Sequence, residues 1–212
     1  MAPSLDLDRL ADELTPVRRL RPAGGALAVA AATGLAAVLT SILIGPRPDL
    51  AEGAIHPMFL MRAGLLFLLG AASLVAVIGM ARPAVGNHRN DWRWALAAAA
   101  LAPMAAIVIA TAGGPPLIER IYPSNGAQCL LFTLGGALVI GAALTLWLRH
   151  GAPTSPERAG LLVGLASGSF AAFAYSLHCP HNDLVYIGLW YTLAVALVTA
   201  LGRLAIPPLI RW

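Results

Sequence analysis

Two cysteines and two histidines are the side chains best suited to chemistry in this chain. Cys129 and Cys179 are the only thiols among 212 residues, and His178 and His181 flank the second of them. A thiol pair can cycle through a disulfide, and thiolates with an imidazole suit zinc, cadmium or another soft cation. The run lacks the tight Cys-x-x-Cys spacing of zinc ribbons and thioredoxin-type centres. Two cysteines are also too few for a four-thiolate metal site. The spacing leaves two readings open. The cysteines are either a redox or metal sensor, with His178 and His181 as further ligands, or small apolar fillers beside a solvated histidine loop. No Ser-His-Asp set, no convergent pair of carboxylates and no Gly-rich phosphate loop followed by Lys is present. Asp49, Glu52, Glu119 and Asp183 are spread over three segments. These absences point away from an enzyme and from any required cofactor.

The elements that must position these residues are membrane spans. The chain is 58% apolar and 11% charged, with a mean hydropathy of +0.76; soluble domains carry about 25% charged residues. A hydrocarbon core of about 30 Å needs roughly 20 apolar residues per helix. Six uncharged windows meet that length: 23–44, 63–81, 95–112, 128–148, 159–177 and 184–202. In lipid the backbone must satisfy its own hydrogen bonds, so each window is expected to be helical. The expected fold is an all-α integral membrane bundle of six transmembrane helices over residues 23–212, with residues 1–22 as a separate N-terminal segment. Small residues crowd the windows at 128–148 and 159–177, which suits close helix packing, and Pro103 should kink the third span.

Basic residues set the orientation. All 14 are arginines; eleven fall on one side of the predicted membrane, and only Arg47, Arg62 and Arg120 fall on the other. Arginine-rich loops stay in the cytoplasm. Both termini are therefore expected inside and both cysteines outside, at the outer ends of the fourth and fifth spans. In a bacterial inner membrane that outer face is the oxidising periplasm, where disulfides persist.

The N-terminal segment carries its own signal. Leu7, Leu10 and Leu14 share one face at helical spacing. A short stripe of three leucines does not hold an isolated helix in water, so it is expected to dock on a partner. Asp8 and Asp12, with Asp6 and Glu13, make this half acidic and favour a basic protein groove over anionic lipid. Arg18 and Arg19 lie next to the membrane, where they can hold headgroups. The alternative is a leader that only sets topology. With so little charge, direct nucleic-acid binding is not expected.

Several blocks bring a family into view. Leu14-Thr15-Pro16-Val17-Arg18-Arg19-Leu20-Arg21-Pro22, Gly45-Pro46-Arg47-Pro48-Asp49-Leu50, Cys129-Leu130-Leu131-Phe132 and Tyr175-Ser176-Leu177-His178-Cys179-Pro180-His181, followed by Leu189-Trp190-Tyr191, occur in order along the chain. Together they resemble the NrsF-type membrane anti-sigma factors (negative regulator of sigma-F) of proteobacteria. The resemblance implies an inner-membrane protein that holds an extracytoplasmic-function sigma factor away from RNA polymerase and releases it under heavy-metal or oxidative stress. It implies Cys129 and Cys179 as the sensing pair, with at most a transient soft metal. It makes the segment containing Leu7, Leu10, Leu14, Asp8, Asp12, Arg18 and Arg19 the sigma-binding element. Coupling is then expected as a shift of the fourth span against the fifth, passed to the tail by the hairpin His150 to Arg158. The rival functions are a small-solute or metal transporter, which needs a polar pathway, and a quinone-linked thiol oxidoreductase, which usually carries a second cysteine pair.

Overall fold

A computed structural model describes residues 20–53, 55–81 and 126–210, with scattered positions between 97 and 119. Among the described residues the regular structure is entirely helical. Five long helices form the bundle: α1 (Pro22–Ile44), α3 (Pro57–Met80), α4 (Gly126–Leu148), α5 (Pro156–Ser176) and α6 (Leu184–Ala205). Two one-turn helices accompany them, α2 (Pro48–Ala51) and α7 (Pro207–Ile210). The long helices have 21–24 residues each, about 31–36 Å at 1.5 Å per residue, and all are apolar enough to cross a bilayer. The predicted third span, 95–112, falls mostly outside the described residues, as do Pro103 and the leader residues 1–19. The described positions 97, 99, 100, 104, 107 and 111 are helical.

Proline marks the helix starts. Pro22, Pro48, Pro57 and Pro156 each open a helix, where a missing N–H costs nothing and a fixed φ is already helical. α3 starts six residues before the uncharged window, so Arg62 lies inside the spanning helix rather than ahead of it. At the start of α6, which lacks a proline, the Asp183 carboxylate accepts from the backbone N–H groups of Val185 and Tyr186 and caps the helix.

α5 is the axis of the bundle, packed against α1, α3, α4 and α6. It is the least hydrophobic of the five, with a best-window hydropathy of 1.4 against 2.0–2.3, yet 89% of that window is buried against 22–44% elsewhere. Lipid-facing helices need bulky apolar side chains. A central helix needs small ones that let backbones approach. Gly160, Gly164 and Gly202 show how close they come. A Cβ on Gly160 would lie 2.6 Å from the Gly202 carbonyl oxygen, and one on Gly164 would lie 2.6 Å from that of Val198. A Cβ on Gly202 would in turn lie 2.7 Å from the Gly164 Cα. α5 and α6 are thus in backbone contact along this stretch.

Other glycines seat single large rings. Phe170 of α5 packs on Gly70 of α3 and meets Phe67 edge-on at 5.9 Å. Trp147 of α4 lies over Gly24 and Gly25 of α1, and Trp190 of α6 lies over Gly126 of α4. The polar residues of the spans mostly satisfy themselves. The hydroxyls of Thr40, Ser41, Ser73, Ser167 and Thr199 donate to carbonyls three or four residues earlier in their own helices.

Candidate functional site

The ends of five elements meet around the cysteines. Cys129 lies in the first turn of α4, and Cys179 lies in the loop 177–183 that joins α5 to α6. Both are free thiols and both are 0% exposed. Cys129 lies one turn before Phe132, whose ring packs on Tyr175 four residues before Cys179, so the 49 intervening residues fold back to bring both thiols to one end of the bundle. Tyr175 at the end of α5 stacks on Phe132 of α4 with ring centroids 6.3 Å apart, and tilts against Tyr191 of α6 at 6.2 Å. Tyr175, Tyr186 and Tyr191 are all buried, and among the described residues their hydroxyls make no hydrogen bond of ordinary geometry.

Two arginines hold the loop. Arg47 follows α1, Arg62 sits in the second turn of α3, and they are 1% and 3% exposed. Arg47 Nη1 donates to the Cys179 carbonyl at 2.9 Å, and Arg62 Nη2 donates to the same oxygen at 3.0 Å. Arg47 Nη2 also donates to Asn182 Oδ1 at 3.0 Å, while its Nε pairs with Asp49. Arg62 Nη1 donates to the His181 carbonyl at 2.7 Å. The flat faces of the two guanidiniums are covered as well, Arg47 by Phe59 at 5.0 Å and Arg62 by Tyr191 at 5.1 Å, within range of a cation–π attraction. Delocalised guanidinium with five donors suits a half-dry site that presents several carbonyls at once.

The histidines take separate places. His178 Nδ1 donates to the Gly45 carbonyl at 2.6 Å, and its ring tilts against Tyr175. The His181 ring lies 4.8 Å from that of Tyr186. Burial first, and then the neighbouring Arg62 charge, hold His181 below the usual imidazole range, so it favours the neutral form. The hydrogen bond from Arg47 holds the Asp49 carboxyl below the usual carboxylate range. Among the described residues no three His, Cys, Asp or Glu side chains gather into a group able to hold a metal ion. Cys129, Cys179, His178 and His181 are therefore neighbours in one cluster without forming a ligand cage.

Sequence reasoning placed both cysteines at one end of the bundle and left Arg47 and Arg62 without a role. The signal was present. Both arginines sit on the side that Arg otherwise avoids, and a buried guanidinium demands acceptors nearby. The loop histidines were offered as solvated in one reading; both are only partly exposed and engaged with neighbours. At the far end of the bundle a groove of about 540 Å³ runs between α4 and α6 over Gly164 and Ser167 of α5. Its walls are Leu134, Leu138, Val198, Leu201 and other apolar residues, with Arg149 at one end, unlike the polar path that a solute carrier requires.

Comparison with known proteins adds a separate line. The family model for "negative regulator of sigma F" (NrsF) matches residues 10–212. The chain is 35% identical over 204 residues to the anti-sigma-F factor NrsF of Caulobacter vibrioides (strain NA1000 / CB15N), covering 88% of each chain. It is 31% identical over 190 residues to the probable anti-sigma-F factor NrsF of Azospira oryzae, again covering 88% of each. No solved structure matches.

Proposed function

Because the chain belongs to the NrsF family of negative regulators of sigma F, we propose that it is a membrane anti-sigma factor, a regulator rather than a catalyst. It holds an extracytoplasmic-function sigma factor at the bacterial inner membrane and releases it when the Cys129–Cys179 cluster reacts. The leader, residues 1–22, binds the sigma factor through Leu7, Leu10 and Leu14, with the acidic Asp8 and Asp12 facing a basic groove. Arg18 and Arg19 hold the leader at the lipid surface. The bundle 23–212 has six crossings, with both termini cytoplasmic. A sixth crossing is supported by chain continuity, since Ala81 and Gly126 lie at opposite ends of the bundle, and by the helical positions between 97 and 111.

The observation that carries the sensor reading is the burial of both thiols at the same end of the molecule, beside the ring cluster of Phe132, Tyr175 and Tyr191. Oxidation there is a two-electron step. Two thiols give up two protons and two electrons to a peroxide-class oxidant, which leaves as water, and one S–S bond forms. A disulfide requires Cα atoms within about 7 Å, so closing one would draw the Cys179 loop toward α4. A soft metal ion could draw the same two sulfurs together, with His178 or His181 recruited from their present neighbours.

The experiment is capture of the sigma factor by the full-length protein, compared with chains that lack residues 1–22 or carry Leu10→Asp. Both changes should abolish capture, and capture that survives the deletion would remove the leader from the function. In cells, Cys129→Ser and Cys179→Ser should each blunt induction of a sigma-dependent reporter by peroxide or cadmium at least several-fold. Full induction in both variants would return the cysteines to a packing role.

A further inference from the structure

The Cys179 loop is fastened to one helix more elaborately than packing requires. Four hydrogen bonds join residues 45–47 to residues 177–182. His178 Nδ1 donates to the Gly45 carbonyl at 2.6 Å, and the Arg47 backbone N–H donates to the Leu177 carbonyl at 3.1 Å. The Arg47 guanidinium supplies the other two, to the Cys179 carbonyl and to Asn182. The strap crosses more than 130 residues of sequence and leaves Arg47 1% exposed. Asp49 and Phe59 hold the guanidinium in place from either side.

What the strap fastens is α1, which ends three residues before Arg47 and leads back to the leader. α1 is the least buried of the five long helices, at 22% of its best window. Along its length its contacts are smooth: Gly24 and Gly25 beneath Trp147, and Ala36 near Gly136. Thr40 and Ser41 turn back on their own carbonyls, so among the described residues no side-chain hydrogen bond of α1 reaches another helix. Apolar contacts between smooth helix faces permit small sliding movements, whereas hydrogen bonds fix position. α5 is the opposite case. Its backbone is locked to α6 at Gly160, Gly164 and Gly202, which makes it the fixed part of the bundle.

We propose that the segment Gly45–Arg47 is a transmission latch: it sets the axial position of α1 according to the state of the Cys179 loop, and α1 carries that position to the leader. This rests on the anti-sigma reading above and replaces a shift of α4 against α5 as the route of the signal. Movement of the loop takes the Cys179 carbonyl off Arg47. Arg62, anchored on α3, keeps its hold on the carbonyls of Ser176 and His181, so the loop pivots there instead of detaching. At the other end of α1, Leu20 packs on Gly151 in the turn between α4 and α5, and a shift of α1 changes that seat. Arg47 is a positioning residue; it takes no part in thiol chemistry.

The test uses the full-length chain with a sigma-dependent reporter and immunoblots of the membrane fraction. Arg47→Gln should raise uninduced output at least several-fold at normal chain level. It should do so equally in a Cys179→Ser background, because the latch lies downstream of the thiols. Arg47→Lys, which keeps the charge and one donor direction, should retain partial inducibility. Asn182→Ala removes a single strap bond and should give a smaller rise, so it decides the matter if Arg47→Gln fails to accumulate. Tight, inducible repression in an accumulating Arg47→Gln chain, or in Asn182→Ala where it does not accumulate, would overturn the latch. So would derepression by Arg47→Gln that disappears in the Cys179→Ser background. Failure of the anti-sigma reading is distinct: uninduced reporter output would then stay unchanged when the whole chain is deleted.

Discussion

At the residue scale the decisive groups are the ones that do no chemistry. Arg47 and Arg62 bring two full charges to the edge of an apolar bundle, at a cost that only several well-placed acceptors can offset. The carbonyls of residues 176–181 provide them, together with Asn182 and Asp49. The titrating groups beside them give the site a pH dependence. His181 has a depressed pKa in the folded protein, so the unfolded chain binds the extra proton first. Its contribution to stability is full above the unfolded value of about 6.5 and is lost as the pH falls from there through the depressed folded value. Asp49 behaves in the same sense at lower pH: its contribution is present above the ordinary carboxylate range and disappears as the pH falls through its lowered value. Thermal melts of the reconstituted protein should show a Tm that declines on acidification below about 6.5, and His181→Asn should flatten that slope. An unchanged slope in the variant would assign the decline to other groups.

At the element scale, the sequence was most legible where physics offers few choices. Long uncharged windows in a lipid environment have only helix open to them, and four of the six predicted windows agree with α1, α4, α5 and α6 to within three residues at either end. α3 starts ahead of the uncharged window because a charge does not limit a span when the guanidinium is partnered, as that of Arg62 is. Pro57 was the better marker. The crowding of small residues over 159–177 was read as bundle packing, and α5 is indeed the central helix. Which partner its glycines face could not be read, because that depends on rotation about the helix axis and not on composition. The α5–α6 contact makes a sharp prediction. Gly202→Ala places a methyl group against the Gly164 backbone, within 2.7 Å of its Cα, where no flexible side chain can yield. Overpacking of this kind costs about 1–3 kcal/mol. Denaturant titration of helicity in micelles should show that loss, whereas Gly34→Ala, which meets nothing within 4 Å, should leave the midpoint in place.

At the scale of the whole molecule, the two ends of the bundle have different characters. One gathers the thiols, the buried phenols, Arg47 and Arg62; the other carries Trp147 over Gly25, the α4–α5 turn and the root of the leader. Because both cysteines are wholly buried, a membrane-impermeant maleimide should label them slowly in intact spheroplasts and quickly after the fold is loosened by detergent. A cysteine placed at Ser4 should stay unlabelled until the membrane is breached. Rapid labelling at Ser4 in intact spheroplasts would reverse the proposed orientation and separate the leader from its sigma factor.

The low hydropathy of α5 also bears on how the protein is made. A segment composed so largely of glycine, alanine and serine gains little free energy by partitioning alone from the translocon into hydrocarbon. Its neighbours, richer in leucine, must shield it as they enter, and α6 emerges from the ribosome after it. Synthesis halted before Leu184 should therefore leave α5 stranded as a substrate for quality-control proteases. Only a completed chain would then persist to restrain transcription, and incomplete products would be cleared without poisoning the response.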